Sequence, residues 1–67
     1  MPFVNIRMVE GFSDEAKSRI AEKVAKTISA ETGVALPAIW VVFEDVRTEE
    51  WFVGERSVAE IRRRAPP

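Results

Sequence analysis

A chain of 67 residues with no histidine and no cysteine has few ways to do chemistry. Cysteine nucleophiles, histidine general bases and structural zinc sites all need side chains that are absent. What remains is ten Lys and Arg, eleven Asp and Glu, two Trp, four Phe and the proline at position 2. The carboxylates are scattered, without the spacing of a calcium or magnesium loop, so no metal is expected. Glu49-Glu50 could supply a general acid or a water-activating carboxylate, against the plainer role of keeping a surface arm soluble. The run Arg62-Arg63-Arg64 reads as a solvated helix end, where positive charge suits the helix dipole. With a net charge of −1 and no interleaved aromatics, it carries no nucleic-acid signature. Pro2, taken alone, starts an edge strand, where proline has no ladder hydrogen bond to lose.

Any reactive group must be positioned by the elements the pattern allows. In residues 3–9, Val4, Ile6 and Met8 fall on one face while Phe3, Asn5, Arg7 and Val9 fall on the other, which predicts a first strand with one strongly apolar face. Gly11 breaks the alternation. Ser13, followed by Asp14 and Glu15, supplies an N-cap and negative charge for a helix. The helix buries Ala16, Ile20, Val24 and Ile28, widened by Ala21 and Ala25, and carries Glu15–Arg19 and Glu22–Lys26 pairs outside. Gly33 closes it. After a loop with Pro37, Ile39-Trp40-Val41-Val42-Phe43 is apolar on both faces, as in a strand covered on both sides. Strand, helix and strand form a right-handed βαβ unit with parallel strands. Thr48 to Arg56, with Trp51, Phe52, Val53 and Gly54, suits a hairpin or arm. Ser57 and Glu60 match a capping box for a last helix through Ile61 to Arg64, ended by Ala65-Pro66-Pro67.

The balance of 46% hydrophobic and 31% charged residues is that of a globular protein. A chain of this size buries only about 60% of its unfolded surface, and without disulfides or metals it is expected to gain stability by association. One helix can cover one face of a two-stranded sheet, yet the second strand is apolar on both, so the free face calls for a partner subunit. No apolar run approaches the roughly 18 residues of a membrane span and no signal peptide is evident, which makes the cytoplasm the expected location.

The order of Met1-Pro2, a strand, Glu10-Gly11-x-Ser13-Asp14-Glu15 opening a long helix, a second strand and the Trp51-x-Val53-Gly54 hairpin resembles the 4-oxalocrotonate tautomerase family. The likeness runs from Pro2 to about Arg63. It implies an α+β fold over residues 1–67: a β-α-β subunit with parallel strands and a C-terminal hairpin, pairing into dimers and usually hexamers. It also implies loss of Met1, leaving Pro2 as the N-terminal residue. A free proline is a secondary amine that can take a proton. An ordinary α-amino group has a pKa of about 7.7 to 8, and apolar surroundings or a nearby cation disfavour its protonated form. Pro2 is then the expected catalytic base for a keto-enol tautomerisation, with no cofactor.

The family carries an arginine directly after the Glu-Gly pair and another near the start of the second strand, for substrate carboxylates and the carbonyl. Here these positions are Phe12 and Trp40. An aromatic ring does not replace a guanidinium fork. An apolar or aryl enol, or a monocarboxylate held by another group, is therefore expected in place of a dicarboxylate. Arg7, Arg47 and Arg56 are the candidate substitutes, each against an ordinary role as a solvated charge. Phe12, Trp40 and Trp51 are the expected substrate-binding residues of an aromatic cavity beside Pro2; the alternative is that they fill subunit interfaces. Phe52 and Glu55 stand where the family commonly has glycines. The alternative function is a subunit without tautomerase activity, pairing with an arginine-bearing paralogue in a hetero-oligomer or binding a small molecule.

Overall fold

The structure, a computed structural model, describes residues 1–65. Strand β1 spans Phe3–Val9, helix α1 Asp14–Thr32 and strand β2 Trp40–Val46; a hairpin of β3 (Phe52–Val53) and β4 (Arg56–Ser57) leads into helix α2, Val58–Arg64. Short 3-10 turns at Leu36–Ala38 and Thr48–Glu50 connect them. Of the terminal Ala65-Pro66-Pro67 stop, the two prolines lie outside the described residues.

The caps form where the sequence puts them. Ser13 Oγ accepts from the Ala16 N–H at 3.1 Å, satisfying one of the donors that a helix start leaves free. Gly33 adopts the left-handed conformation (φ 77°) and its N–H donates to the Ser29 carbonyl, a position where a Cβ would be strained. Of the two expected surface pairs, Glu22–Lys26 closes at 2.7 Å, and this hydrogen bond lowers the Glu22 pKa. Glu15–Arg19 does not form an ion pair among the described residues. Exposed pairs gain little in water, so helical spacing alone does not hold one together. At α2, Ser57 Oγ caps the Glu60 N–H, but the Glu60 carboxylate turns forward to Arg64 at 3.3 Å, so half of the capping box is made.

β1 and β2 are parallel, in a register running from Phe3 opposite Trp40 to Val9 opposite Val46. The side facing α1 is identified by Lys17, whose Nζ reaches Asp45 Oδ2 at 2.7 Å. Side chains alternate along a strand, so Val41 and Phe43 share that face, and Val4, Ile6 and Met8 share it through the register. All five are half-buried, as is the α1 stripe of Ala16, Ile20, Ala21, Val24, Ala25 and Ile28. Ile39, just before β2, is the one buried side chain among the described residues, and it keeps 8% of its surface exposed. The opposite face carries Phe3, Asn5, Arg7 and Val9 against Trp40, Val42, Glu44 and Val46. It has no layer over it: Phe3 is 61% and Trp40 54% exposed.

Size makes the same point. A compact domain of this length has a radius of gyration of about 11 Å, whereas this chain has 15.7 Å and extends 46 × 22 × 16 Å. Its accessible surface of 5172 Å² exceeds the roughly 4,300 Å² of a compact monomer of this mass. The C-terminal arm accounts for part of the excess, with Phe52, Val53 and Ile61 exposed. Gly54 opens the two-residue hairpin loop with φ 67° while Glu55 keeps a negative φ, the signature of a type II′ turn. Gly54 alone supplies the conformation the loop needs, so Phe52 and Glu55 fit without a glycine. No helix among the described residues is long and apolar enough to cross a membrane.

Candidate functional site

Pro2 is half-buried at the entrance to β1 and anchored through its carbonyl, which accepts from the Trp40 N–H at 3.0 Å. This bond extends the parallel ladder by one step and puts Pro2 beside the first residue of β2. Trp40 points to the uncovered face, next to Phe3. Met1 precedes them with its side chain almost fully in solvent. While Met1 is attached the Pro2 nitrogen is a tertiary amide without basicity. Its removal would expose a secondary amine at the edge of an aromatic surface made by Phe3 and Trp40.

Phe12 and Trp51 lie at the other end of the sheet. Both strands run the same way, so Phe12 follows the end of β1 and Trp51 the end of β2. Six residues of strand, at about 3.3 Å each, separate the two ends by roughly 20 Å. Phe12, 52% exposed, is held between Gly11, with φ 118°, and the cap residue Ser13. Trp51 is half-buried, and its carbonyl accepts from Val58 N–H at 2.8 Å, which ties the arm to the start of α2. One subunit therefore brings Pro2 and Trp40 together, and separately presents Phe12 and Trp51 at its far end.

That far end carries a cleft of about 470 Å³ lined by Arg7, Glu44, Val46, Glu50, Trp51 and Phe52. Arg7 Nε donates to Glu44 Oε2 at 3.1 Å, and Asn5 Nδ2 donates to Glu44 Oε1 at 3.4 Å. Arg47 pairs with Glu50 at 3.3 Å and lies 3.9 Å from Glu49. The Glu49 pKa is lowered, first by a backbone N–H and then by the Thr48 hydroxyl. A carboxylate held ionised in this way is a poor proton donor, which argues against Glu49 as a general acid. Arg56 sits on β4 and does not line the cleft. Arg7 is one of the three arginines that the sequence offers as substitutes, whereas its partners Glu44 and Asn5 carry no local mark in the sequence. Positions 5, 7 and 44 share the outward face of the sheet, which becomes readable only once the register is known.

The family model for tautomerase enzymes matches residues 2–61, and the chain belongs to the tautomerase family. The 2-hydroxymuconate tautomerase of Bacillus subtilis (strain 168) is 31% identical over 61 residues, covering 91% of this chain and 98% of that protein. The 2-hydroxymuconate tautomerase of Comamonas testosteroni is 35% identical over 63 residues, with 94% and 100% covered. Among solved structures, TomN, a 4-oxalocrotonate tautomerase homologue of the tomaymycin biosynthetic pathway, superposes with a TM-score of 0.88 at 32% identity, covering 92% of this chain and 95% of its own. A heterohexamer 4-oxalocrotonate tautomerase from Chloroflexus aurantiacus J-10-fl gives 0.85 at 32% identity, covering 92% and 100%.

Proposed function

We propose that this chain is a tautomerase whose base is the amine of Pro2 after Met1 is removed, acting on an aryl or apolar enol that carries at most one carboxylate. The amine takes a proton from the enol oxygen, and a proton is returned to a carbon of the conjugated system to give the ketone. The observation that carries this reading is the seat of Pro2. It begins the span matched by the family, stays half-exposed, and is fixed through its carbonyl to Trp40 N–H. Only loss of Met1 is needed to make it a positioned base.

The working site joins two subunits of an oligomer. An antiparallel two-fold pairing of sheets brings the Pro2–Trp40 end of one copy beside the Phe12–Trp51 end of the next, closing an aromatic cavity neither copy has alone. The elongated shape and the uncovered sheet face support association. A homo-hexamer is the expected assembly. A mixed one with an arginine-bearing paralogue is the second reading, favoured by Phe12 and Trp40 standing where the family has cations, and the Chloroflexus relative is a heterohexamer.

The test keeps Met1 in place by design, which turns the Pro2 nitrogen into an amide and leaves every side chain intact. Turnover of phenylenolpyruvate should disappear, and Pro2→Ala, which keeps a primary amine, should lose about tenfold to a hundredfold in kcat/KM. Wild-type turnover with Met1 proven present by intact mass would remove proline from the mechanism.

A further inference from the structure

We infer that Arg7 is the anchor for the substrate carboxylate, a role that passes to it because positions 12 and 40 are aromatic. The inference rests on the reading in which Trp51 lines the substrate cavity. Arg7 stands on the uncovered face of β1, directly across from Glu44 in the strand register. The Glu44 carboxylate is fixed from both sides, by Arg7 Nε on one oxygen and by Asn5 Nδ2 on the other. Asn5 and Glu44 are thus positioning residues that hold the guanidinium by its inner nitrogen. A guanidinium has five N–H donors. Among the described residues Arg7 makes no other side-chain hydrogen bond, so the four N–H groups of Nη1 and Nη2 remain for a ligand.

The surroundings decide which arginine takes the role and what it binds. Arg7 is the one cation lining the cleft of about 470 Å³ with Trp51 and Phe52. Glu50, the second carboxylate in that lining, pairs with Arg47, but neither Arg47 nor Arg56 lines the cleft itself. The outer edge of the Arg7 guanidinium can hold one carboxylate through paired charged hydrogen bonds, while an aryl group packs on Trp51. A second carboxylate on the ligand would find no free cation here and would meet Glu44 and Glu50. The cleft therefore selects an aryl monocarboxylate.

Glu44 also weakens the attraction, because its charge opposes that of Arg7, and this gives the test its sign. The probes are cinnamate and cinnamamide, alike in ring and linker and different in charge, with binding measured by calorimetry on the full chain. Measuring binding keeps the identity of the base out of the result, so failure here and failure of the Pro2 reading are separate events. The wild-type protein should bind cinnamate about tenfold more tightly than cinnamamide, as charge-assisted hydrogen bonds imply. Arg7→Gln should abolish that preference. Glu44→Gln keeps an acceptor for Nε but removes the opposing charge, and should tighten cinnamate by about threefold to tenfold while leaving cinnamamide unchanged. A gain of affinity does not arise from misfolding, so this second variant decides the matter even where Arg7→Gln does not fold. Absence of the preference in the wild type, its persistence in a folded Arg7→Gln protein, or unchanged cinnamate binding in Glu44→Gln would each overturn the assignment.

Discussion

Replacing Phe3 by alanine separates the stability of one subunit from the association of several. Phe3 is 61% exposed on the face opposite α1, beside Trp40, so within one chain its ring contributes little burial. A phenylalanine presents about 200 Å², and 61% of that is roughly 120 Å² available to a partner. At about 25 cal/mol per Å², covering it stabilises the assembly by ~3 kcal/mol for each copy of the ring. A two-fold contact uses the ring twice, for ~6 kcal/mol, or about a ten-thousandfold change in the association constant. Sedimentation equilibrium of the two proteins over nanomolar to micromolar concentrations measures this directly. Wild type should show no folded monomer at micromolar concentration, whereas Phe3→Ala should dissociate. The subunit pays part of its conformational entropy through that contact, so the variant should also unfold at a concentration-dependent Tm. Equal association constants for the two proteins would mean that this face stays in solvent, and a stable wild-type monomer would refute the argument from the uncovered strand altogether.

Two further outcomes follow from the same structure. With Arg7 as the one cation that lines the cleft, kcat/KM for phenylenolpyruvate should exceed that for 2-hydroxymuconate, and a strong preference for the dicarboxylate would mean that a second arginine, from a neighbouring subunit, reaches the site. Ser13→Ala removes the cap bond to Ala16 N–H and should destabilise the protein by about 1 kcal/mol per subunit; denaturant unfolding that shows no loss would mean that water satisfies the helix start equally well.

Local chemistry made the secondary structure legible in the sequence. Ser13 and Gly33 bound α1 because a side-chain acceptor and a left-handed residue are needed at the places they occupy. Alternation of Val4, Ile6 and Met8 defined β1 because a strand turns successive side chains to opposite faces. The lack of cysteine and histidine restricted the chemistry, and the apolar residues on both faces of β2 marked a face that nothing in the described residues covers. Gly54 likewise marked a turn, though its type depended on Glu55 keeping a negative φ.

Tertiary structure decided everything that depends on which distant residues meet. Arg7 and Glu44 are 37 positions apart, and nothing local to either says that they stand opposite; the parallel register does. That register also puts Pro2 and Trp40 at one end of the sheet and sends Phe12 and Trp51 to the other, so a cavity built from all four takes two subunits. Helical spacing allowed Glu15–Arg19 as readily as Glu22–Lys26, and only the latter closes. Sequence fixes what each residue can do and which way it faces on its own element, because those follow from chemistry and periodicity within a few residues. Which residues act together follows from strand register and subunit contact, which are set by packing over the whole chain.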